Sequence, residues 1–186
     1  MLRIAGGRLK GITIKGGSRW IKPTSELVRL SIFNILGAQV EEAYILDLYA
    51  GSGALGIEAL SRGASKVVFV DTKAESIKLI RENLTKTNLL PQGVTIRATL
   101  PREMDRLKAL APFDLIVMDP PYEKGYVEKT LSDIDSLSLL KDGGILTVEH
   151  SIREEAPAKI GFLVMVKSYS YGDTKISIFR KEVVVE

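Results

Sequence analysis

The sequence predicts an α/β fold with a mostly parallel sheet that ends in an antiparallel hairpin. From about residue 44 to residue 149, short apolar runs alternate with helical patterns, as in parallel strands joined by covering helices. A glycine-rich loop follows the first of these runs. Two further alternating runs near the C-terminus have no helix between them, which indicates an antiparallel pair.

An N-terminal extension over residues 1–40 is expected to precede the main domain, residues 41–186. Within it, residues 1–22 predict a short β segment. Apolar and polar residues alternate there around Ile12 and Ile14, between glycine pairs typical of turns.

A helix is predicted to close the extension. Thr24 and Ser25 are residue types that cap helix N-termini, and Gly37 is the expected end of the helix. Four apolar residues recur at helical spacing and give the helix one apolar face: Val28, Ile32, Ile35 and Leu36.

The main domain is predicted to alternate strands and helices. Strands are expected at 44–48, 66–70, 94–97, 113–118 and 144–149. Helices are expected at 54–62, 73–87, 102–110 and 126–140, and the closing antiparallel pair at 162–169 and 175–180. Such an order is that of class I methyltransferases, a Rossmann-like mixed sheet, although other doubly wound enzymes also end in antiparallel strands.

Composition limits the classes of protein. The chain is 45% hydrophobic and 26% charged, which is typical of a globular protein. No apolar run reaches the roughly 18 residues of a membrane span, and the start lacks the apolar core of a secretory signal. There is no cysteine and one histidine, His150, so we expect no metal site. A cytoplasmic protein without a membrane span is the expectation.

Positive charge is concentrated near the N-terminus. Residues 1–29 hold seven basic side chains against one acid, a net charge of +6, while the remaining residues carry −3. Clustered Lys and Arg bind polyanions because contact with phosphates releases counterions. From charge alone, a solvated surface segment is an equally good interpretation.

The glycine-rich loop predicts a cofactor site. Gly51, Gly53 and Gly56 have the spacing G-x-G-x-x-G between a strand and a helix. Asp71 ends the next strand, 20 residues after Gly51, and is placed to bind ribose hydroxyls. NAD sites and S-adenosylmethionine sites share both features. The structural alternative is a tight turn that only lets the helix pack closely.

Asp47 favours S-adenosylmethionine over a dinucleotide. It ends the strand four residues before Gly51, where a dinucleotide would place its pyrophosphate. Two like charges in a partly desolvated cleft would repel each other, whereas a sulfonium and an ammonium are favoured by a carboxylate. The residues expected to bind the cofactor are Asp47, Tyr49, Ala50, Gly51, Gly53, Gly56, Asp71, Thr72, Ala98, Thr99 and Asp119.

Four residues after the strand at 113–118 are predicted to be catalytic: Asp119, Pro120, Pro121 and Tyr122. The two prolines fix φ and restrict the residue before each, so this loop is stiff. The Asp119 carboxylate and the Pro120 carbonyl can then accept from both hydrogens of a planar –NH₂ group. Tyr122 offers a face on which a base stacks, worth about 1–3 kcal/mol. A proline-stiffened turn is the structural alternative.

The sequence resembles the bacterial 16S ribosomal RNA guanine-N2 methyltransferases that modify the small subunit, nearly from end to end. The matching pieces are 3–7 with the basic strand that follows, Pro23-Thr24, Val28-Arg29, Phe33-Asn34, 46–64 and 119–122. The stretch 46–64 is specific to this family and near relatives. The tetrapeptide at 119–122 is shared by many amino-methyltransferases.

The resemblance implies methyl transfer from S-adenosylmethionine to the N2 amine of one guanine in 16S rRNA. The substrate would be the small subunit or an assembly intermediate. The protein itself is expected to be a monomer. The basic N-terminal arm would grip the RNA backbone, and the helix after Pro23 would flank the active site. The residues expected to contact RNA are Arg3, Arg8, Lys10, Lys22, Thr24 and Arg29.

The chain departs from the family pattern in three places. Lys22 stands where the family usually has Arg before Pro-Thr, and 26–30 lacks charged positions of the usual Asp-Arg-Val-Arg-Glu run. Ala98-Thr99 stands where an acidic or amide residue commonly meets adenine. These departures bear on the choice of guanine and on the adenine contact.

Three other functions are alternatives. A DNA adenine-N6 or protein glutamine methyltransferase could use the same tetrapeptide, but a DNA enzyme typically needs a target-recognition domain for which 186 residues leave no room. A non-catalytic RNA-binding assembly factor would have no reason to keep both the cofactor residues Asp47, Gly51 and Gly53 and the catalytic residue Asp119. A nucleotide-dependent dehydrogenase is the weakest alternative.

Overall fold

The structure, a computed structural model, describes residues 1–17, 24–183 and 185. The chain divides into two compact units, Met1–Arg97 and Ala98–Glu186. The part of the predicted β segment beyond residue 17, together with Lys22 and Pro23, lies outside the described residues. The domain boundary expected at residue 40 stays a prediction.

The first unit is built from three parallel strands and their helices. In chain order its strands and α-helices are β1 (Leu2–Arg3), β2 (Thr13–Ile14), α1 (Glu26–Leu36), β3 (Tyr44–Leu48), α2 (Ala54–Ser61), β4 (Lys66–Asp71), α3 (Ala74–Lys86) and β5 (Gly93–Arg97). β1 and β2 pair antiparallel. The other strands lie in the order β5–β4–β3, and both of their pairings are parallel. The carboxyl ends of β3 and β4 therefore lie side by side.

Helix α2 is buried along its whole length. All eight of its residues, Ala54–Ser61, are shielded from solvent, including the polar residues Glu58 and Ser61. The N-terminal extension supplies part of this cover. The backbone N–H of Ala5 donates to Glu58 Oε2 at 2.9 Å, and that of Arg8 donates to the Ser61 carbonyl at 2.8 Å.

Helix α1 begins and ends as the sequence predicts. The Ser25 hydroxyl accepts from the Val28 backbone N–H at 3.2 Å, and Gly37 follows the last turn with a φ of +53°. Val28, Ile32 and Leu36 are buried, and Ile35 is only partly so.

The second unit contains the other half of the predicted fold. Its elements are a 3₁₀ helix (Met104–Leu110), β6 (Phe113–Met118), α4 (Tyr126–Ser136), β7 (Leu140–Ser151), β8 (Lys159–Ile160), β9 (Leu163–Tyr171) and β10 (Thr174–Lys181). The strands lie in the order β6–β7–β10–β9–β8. β6 and β7 are parallel, and the remaining pairs are antiparallel. The closing hairpin, β9 with β10, is confirmed.

Two predicted helices of this unit differ in the structure. The helix expected at 102–110 is a 3₁₀ helix from Met104, and its buried residues Met104 and Leu107 lie three apart, which is the 3₁₀ period. The helix expected at 126–140 ends at Ser136. A φ of +52° at Ser138 stops it, and the buried residue Leu140 begins β7 instead.

No helix in the described ranges has the length and apolar character needed to span a bilayer.

Candidate active site

The glycine loop joins β3 to α2 and is closed by left-handed glycines. Gly51 and Gly53 have φ values of +57° and +80°, a region that favours glycine. Gly53 immediately precedes α2. The loop is also tied to the neighbouring strand, because the Gly51 N–H donates to Asp71 Oδ2 at 2.9 Å.

Asp71 organises the end of β4. Its Oδ1 accepts from the Lys73 N–H at 2.9 Å, while its Oδ2 accepts from Gly51. Each carboxylate oxygen has two lone pairs, so Asp71 can still accept from the hydroxyls of a ribose. The side chain is only partly buried.

Gly56 lies in the first turn of α2, where the helix packs on β4. A Cβ at this position would stand 2.7 Å from Cζ of Phe69 and 2.8 Å from Cγ1 of Val67, and closer still to Cε1 of Phe69. Only a residue without a side chain lets α2 approach the strand this closely. The third glycine of the motif therefore has a packing role in the structure.

Asp47 lies beneath the glycine loop and is fully buried. Its Oδ2 accepts from the Gly56 backbone N–H at 3.0 Å, and its Oδ1 has no hydrogen-bond partner among the described residues. Burial raises the pKa of this carboxyl to about 8, and the nearby charge of Asp71 adds to the increase. Asp47 thus holds α2 in place and keeps one polar atom unsatisfied under the loop.

Asp47→Asn should remove a pH dependence of the free energy of unfolding. The carboxyl titrates near pH 3.8 in the unfolded chain and near 8 in the folded one. Between these values the folded state holds a proton that the unfolded state has lost. Stability therefore falls as pH rises, by up to about 1.4 kcal/mol per pH unit. Asparagine can still accept from Gly56 and has no such proton.

Urea unfolding of both proteins from about pH 4 to pH 8 measures this difference. Asp114→Asn is a matched control because Asp114 is partly exposed and pairs with Lys141 at 2.6 Å. The control should keep the slope of the unmodified protein. Equal slopes for the unmodified protein and Asp47→Asn would contradict the prediction.

The other predicted cofactor residues differ in exposure. Tyr49, with a φ of +59°, and Ala50 are partly buried in the loop, and the Ala50 N–H donates to the Val70 carbonyl at 3.0 Å. Thr72 and Thr99 are exposed, while Ala98 is buried. Ala98 has no polar side-chain atom, so any polar contact there would be made by its backbone.

The Asp-Pro-Pro-Tyr loop follows β6 in the second unit. Asp119 is partly buried, Pro120 is buried and Pro121 is exposed. The Tyr122 hydroxyl donates to Glu149 Oε1 at 2.9 Å and lies 3.1 Å from the Thr174 hydroxyl. The pKa of Tyr122 is raised, chiefly by burial and further by the Glu149 carboxylate, so this hydroxyl stays a donor. Its ring is therefore held in one place.

Glu149 and Thr174 were not predicted as site residues. Glu149 is 4% exposed near the end of β7, and Thr174 begins β10. The one available signal was an acid at the end of a predicted buried strand. Such an acid needs a partner, and here the partner is Tyr122, 27 residues earlier.

His150 is a satisfied core residue. It is 1% exposed, with Nδ1 at 3.0 Å from the Ser151 carbonyl and Nε2 at 2.8 Å from the Ser177 hydroxyl. Burial lowers the pKa of its imidazole. In the described part of the chain, no group of three or more His, Cys, Asp or Glu residues could hold a metal ion.

The residues expected to contact RNA separate into two groups. Arg3, Arg8 and Lys10 are exposed. Arg29 is not: it is 1% exposed, and its Nη1 and Nη2 donate to the carbonyls of Thr24 at 2.9 Å and Arg3 at 2.7 Å. The structure corrects the expectation for Arg29, whose guanidinium joins α1 to β1. Thr24 is likewise buried.

An unpredicted network fixes the N-terminal arm to α2. The Glu58 carboxylate accepts from Ala5 N–H and from Arg62 Nε, both at 2.9 Å. The Ser61 hydroxyl donates to the Gly6 carbonyl at 2.6 Å and accepts from the Leu9 N–H at 3.0 Å. Glu58, Ser61 and Arg62 lie inside the stretch 46–64 on which the family resemblance rests. Part of that stretch therefore holds the N-terminal arm in place.

Comparisons with known proteins agree with this architecture. A family model described as conserved hypothetical protein 95 matches residues 2–180. The chain is 35% identical over 182 residues to "Putative rRNA methyltransferase YlbH" of Bacillus subtilis (strain 168), covering 97% of this chain and 99% of that protein. It is 30% identical over 158 residues to ribosomal RNA small subunit methyltransferase D of Escherichia coli K12, covering 84% and 78%.

A solved structure extends the agreement to the whole fold. "Putative methyltransferase yhhF" from Escherichia coli superposes with a TM-score of 0.83 at 25% identity, covering 97% of this chain and 98% of that one. The predicted class I methyltransferase fold is thereby confirmed. The chain belongs to the family that the conserved hypothetical protein 95 model describes, together with the small-subunit ribosomal RNA methyltransferase D proteins.

Proposed function

We propose that this protein is an rRNA methyltransferase that uses S-adenosylmethionine to methylate the N2 amine of a guanine in 16S rRNA. The observation that carries the proposal is the loop after β6, in which Asp119 precedes two prolines and a tyrosine whose hydroxyl is held by Glu149 and Thr174. A rigid aromatic face beside a carboxylate suits a flat base with an exocyclic amine. The Escherichia coli relative is named for the small-subunit RNA.

The residues of the first unit fit S-adenosylmethionine. Asp71 can accept from ribose hydroxyls, and the left-handed glycines leave the loop backbone uncovered by side chains. When ionised, the buried Asp47 disfavours a pyrophosphate and favours the cationic sulfonium and ammonium. We assign Asp47, Tyr49, Ala50, Gly51, Gly53, Gly56, Asp71, Thr72, Ala98, Thr99 and Asp119 to this cofactor.

When bound, the cofactor would supply an electrophilic methyl group on a positively charged sulfur, with a neutral thioether as the leaving group. The chain's own groups make the amine able to attack. Its lone pair is delocalised into the base, so acceptors on both N–H bonds, the Asp119 carboxylate and the Pro120 carbonyl, favour pyramidal nitrogen and stabilise its growing positive charge. The proton that the product nitrogen loses passes to Asp119 or to water.

Tyr122 positions the base for this reaction. Its ring would stack on the guanine, and its hydroxyl bonds keep that face aligned with Asp119. Correct alignment matters because in-line attack tolerates little displacement.

Methyl transfer from tritiated S-adenosylmethionine tests the proposal. Purified protein is offered small ribosomal subunits, free 16S rRNA and duplex DNA, and the labelled nucleosides are separated. We expect N2-methylguanine from the RNA and no label in DNA. Label found as N6-methyladenine, or only in protein, would replace the proposal with the second reading, a methyltransferase for another planar amine. RNA binding without transfer to any substrate would identify a non-catalytic assembly factor.

A further inference from the structure

A groove of about 640 Å³ runs along the exposed side of α3 in the first unit. Ala74 and Ile77 contribute to its wall near the start of the helix. Four cationic side chains line it: Lys15 from the N-terminal arm, and Lys78, Arg81 and Lys86 from the helix. On the sequence alone, the helix cations are typical of a solvated face. In the structure, the N-terminal arm contributes Lys15 to the same groove that the helix cations line.

The groove is strongly positive. Glu82 is its one acidic lining residue among those described, and it is paired with Lys15 at 2.8 Å. The surrounding unit, residues 1–97, has fourteen basic residues against eight acidic ones, whereas residues 98–186 have twelve against fifteen. Two of the eight acids, Asp47 and Glu58, are buried, and so is one of the fourteen basic residues, Arg29. The surface of this unit is therefore suited to a polyanion.

Asn83 fixes the groove to the glycine loop. Its side chain is fully buried. Oδ1 accepts from the Lys15 N–H at 2.8 Å, and Nδ2 donates to the Lys15 carbonyl at 2.9 Å and to the Ser52 carbonyl at 3.0 Å. Ser52 stands between Gly51 and Gly53. One amide thus joins the arm, α3 and the loop assigned to the cofactor.

Two of the cations are held in place by neighbouring side chains. Arg81 Nε donates to the Thr95 hydroxyl at 2.8 Å. Lys15 Nζ donates to Glu82, and the Lys15 backbone N–H donates to Asn83. Arg8 is similarly held, by Gln92 at 3.1 Å, in the connection that follows α3. Cations that are already positioned lose less side-chain entropy when they meet a ligand.

We propose that this groove, which Asn83 ties to the glycine loop, binds the sugar–phosphate backbone of the RNA substrate. The inference rests on the proposed function and adds a second RNA contact region to the exposed arm residues. The chemistry favours RNA because its phosphates repeat at every nucleotide. A row of cations along a helix can neutralise several phosphates at once and release their counterions.

The test compares two double variants. Lys78→Ala with Lys86→Ala removes two exposed groove cations and leaves the Lys15 and Arg81 contacts intact. Lys66→Ala with Lys108→Ala removes the same charge from exposed positions outside the groove. For each protein we would measure the dissociation constant for 16S rRNA at several salt concentrations, the dissociation constant for S-adenosylmethionine, and the kinetics of methyl transfer.

The groove variant is expected to bind RNA about tenfold more weakly at low salt. Its salt slope should fall by about 1.4 to 1.8, because each lost phosphate contact removes about 0.7 to 0.9. KM for RNA should rise while kcat at saturating RNA and cofactor affinity stay unchanged. The control variant should lose much less affinity and keep its salt slope.

RNA affinity and salt slope that match between the two double variants would overturn the proposal. So would poly-glutamate that competes for the groove as strongly as RNA, since the occupant would then be an acidic protein. Failure of the proposed function is distinguishable, because the unmodified protein would then bind RNA through the groove without transferring a methyl group.

Discussion

Asp119→Asn should reduce the rate of methyl transfer by about 10²- to 10³-fold at saturating substrates, the loss typical when one preorganised polar group is removed from a transition state. The variant keeps the shape of the side chain. It replaces one acceptor with an N–H donor, however, and a donor repels the hydrogens of the substrate amine. It also removes the negative charge that stabilises the positive nitrogen. The change acts on the transition state, so kcat should fall more than KM rises.

Calorimetric titration with S-adenosylmethionine, run beside the transfer assay, separates catalysis from cofactor binding. The dissociation constant for the cofactor should change by only a few-fold. Asp114→Asn is the matched control, since Asp114 lies in β6, the strand that leads into Asp119, and pairs with Lys141. It should retain near-normal transfer. If Asp119→Asn lost cofactor binding as severely as activity, Asp119 would act through the cofactor alone and its catalytic assignment would be wrong.

Local patterns in the sequence suffice for the element order. The strands at 44–48, 66–70 and 113–118 are the largely apolar runs that buried parallel strands require, and their ends place Gly51, Asp71 and Asp119 without further information. The spacing of apolar residues does not locate the boundary between a helix and a strand when an apolar run at that boundary fits both. Leu139 and Leu140 fit the helix pattern of 126–140, yet a left-handed residue at Ser138 assigns them to the strand side.

Contacts between distant residues are invisible to such patterns. Tyr122 is fixed by Thr174, 52 residues away, and the arm by Glu58, 53 residues away from Ala5. Neither partner is marked by local spacing. The same limit explains why the expectation that Arg29 contacts RNA was wrong. A basic residue on a helix predicts an exposed cation, whereas the packing of β1 and Thr24 against α1 surrounds this guanidinium with backbone carbonyls.

The arm shows how structure changes the meaning of a charge pattern. The sequence presents residues 1–29 as one basic segment. In the structure its basic side chains lie in different surroundings. Arg29 is buried, Lys15 lines the groove, and Arg3, Arg8 and Lys10 are exposed. Backbone hydrogen bonds to Glu58, Ser61 and Asn83 hold the arm against the unit that carries the glycine loop. RNA that binds the arm would therefore meet a rigid surface.

Gly56→Ala should destabilise the protein by about 1–3 kcal/mol, the usual cost of overpacking a core. The added methyl would collide with the Phe69 ring and with Val67. Both are fully buried, so neither can turn into solvent. Helix propensity acts in the opposite direction, because alanine favours a helix by about 1 kcal/mol over glycine. A measured loss would therefore come from the collision. The shift of α2 should also lengthen the bond from Gly56 to Asp47 and weaken cofactor binding.

Urea unfolding of Gly56→Ala and of Gly16→Ala provides the comparison. A Cβ at Gly16 would meet nothing nearer than 3.6 Å, an ordinary contact, and Gly16 is not left-handed. Gly16→Ala should therefore leave the midpoint almost unchanged, while Gly56→Ala lowers it. If Gly56→Ala were as stable as the unmodified protein, α2 could move off β4 at little cost. The packing of this helix would then not require the third glycine of the motif.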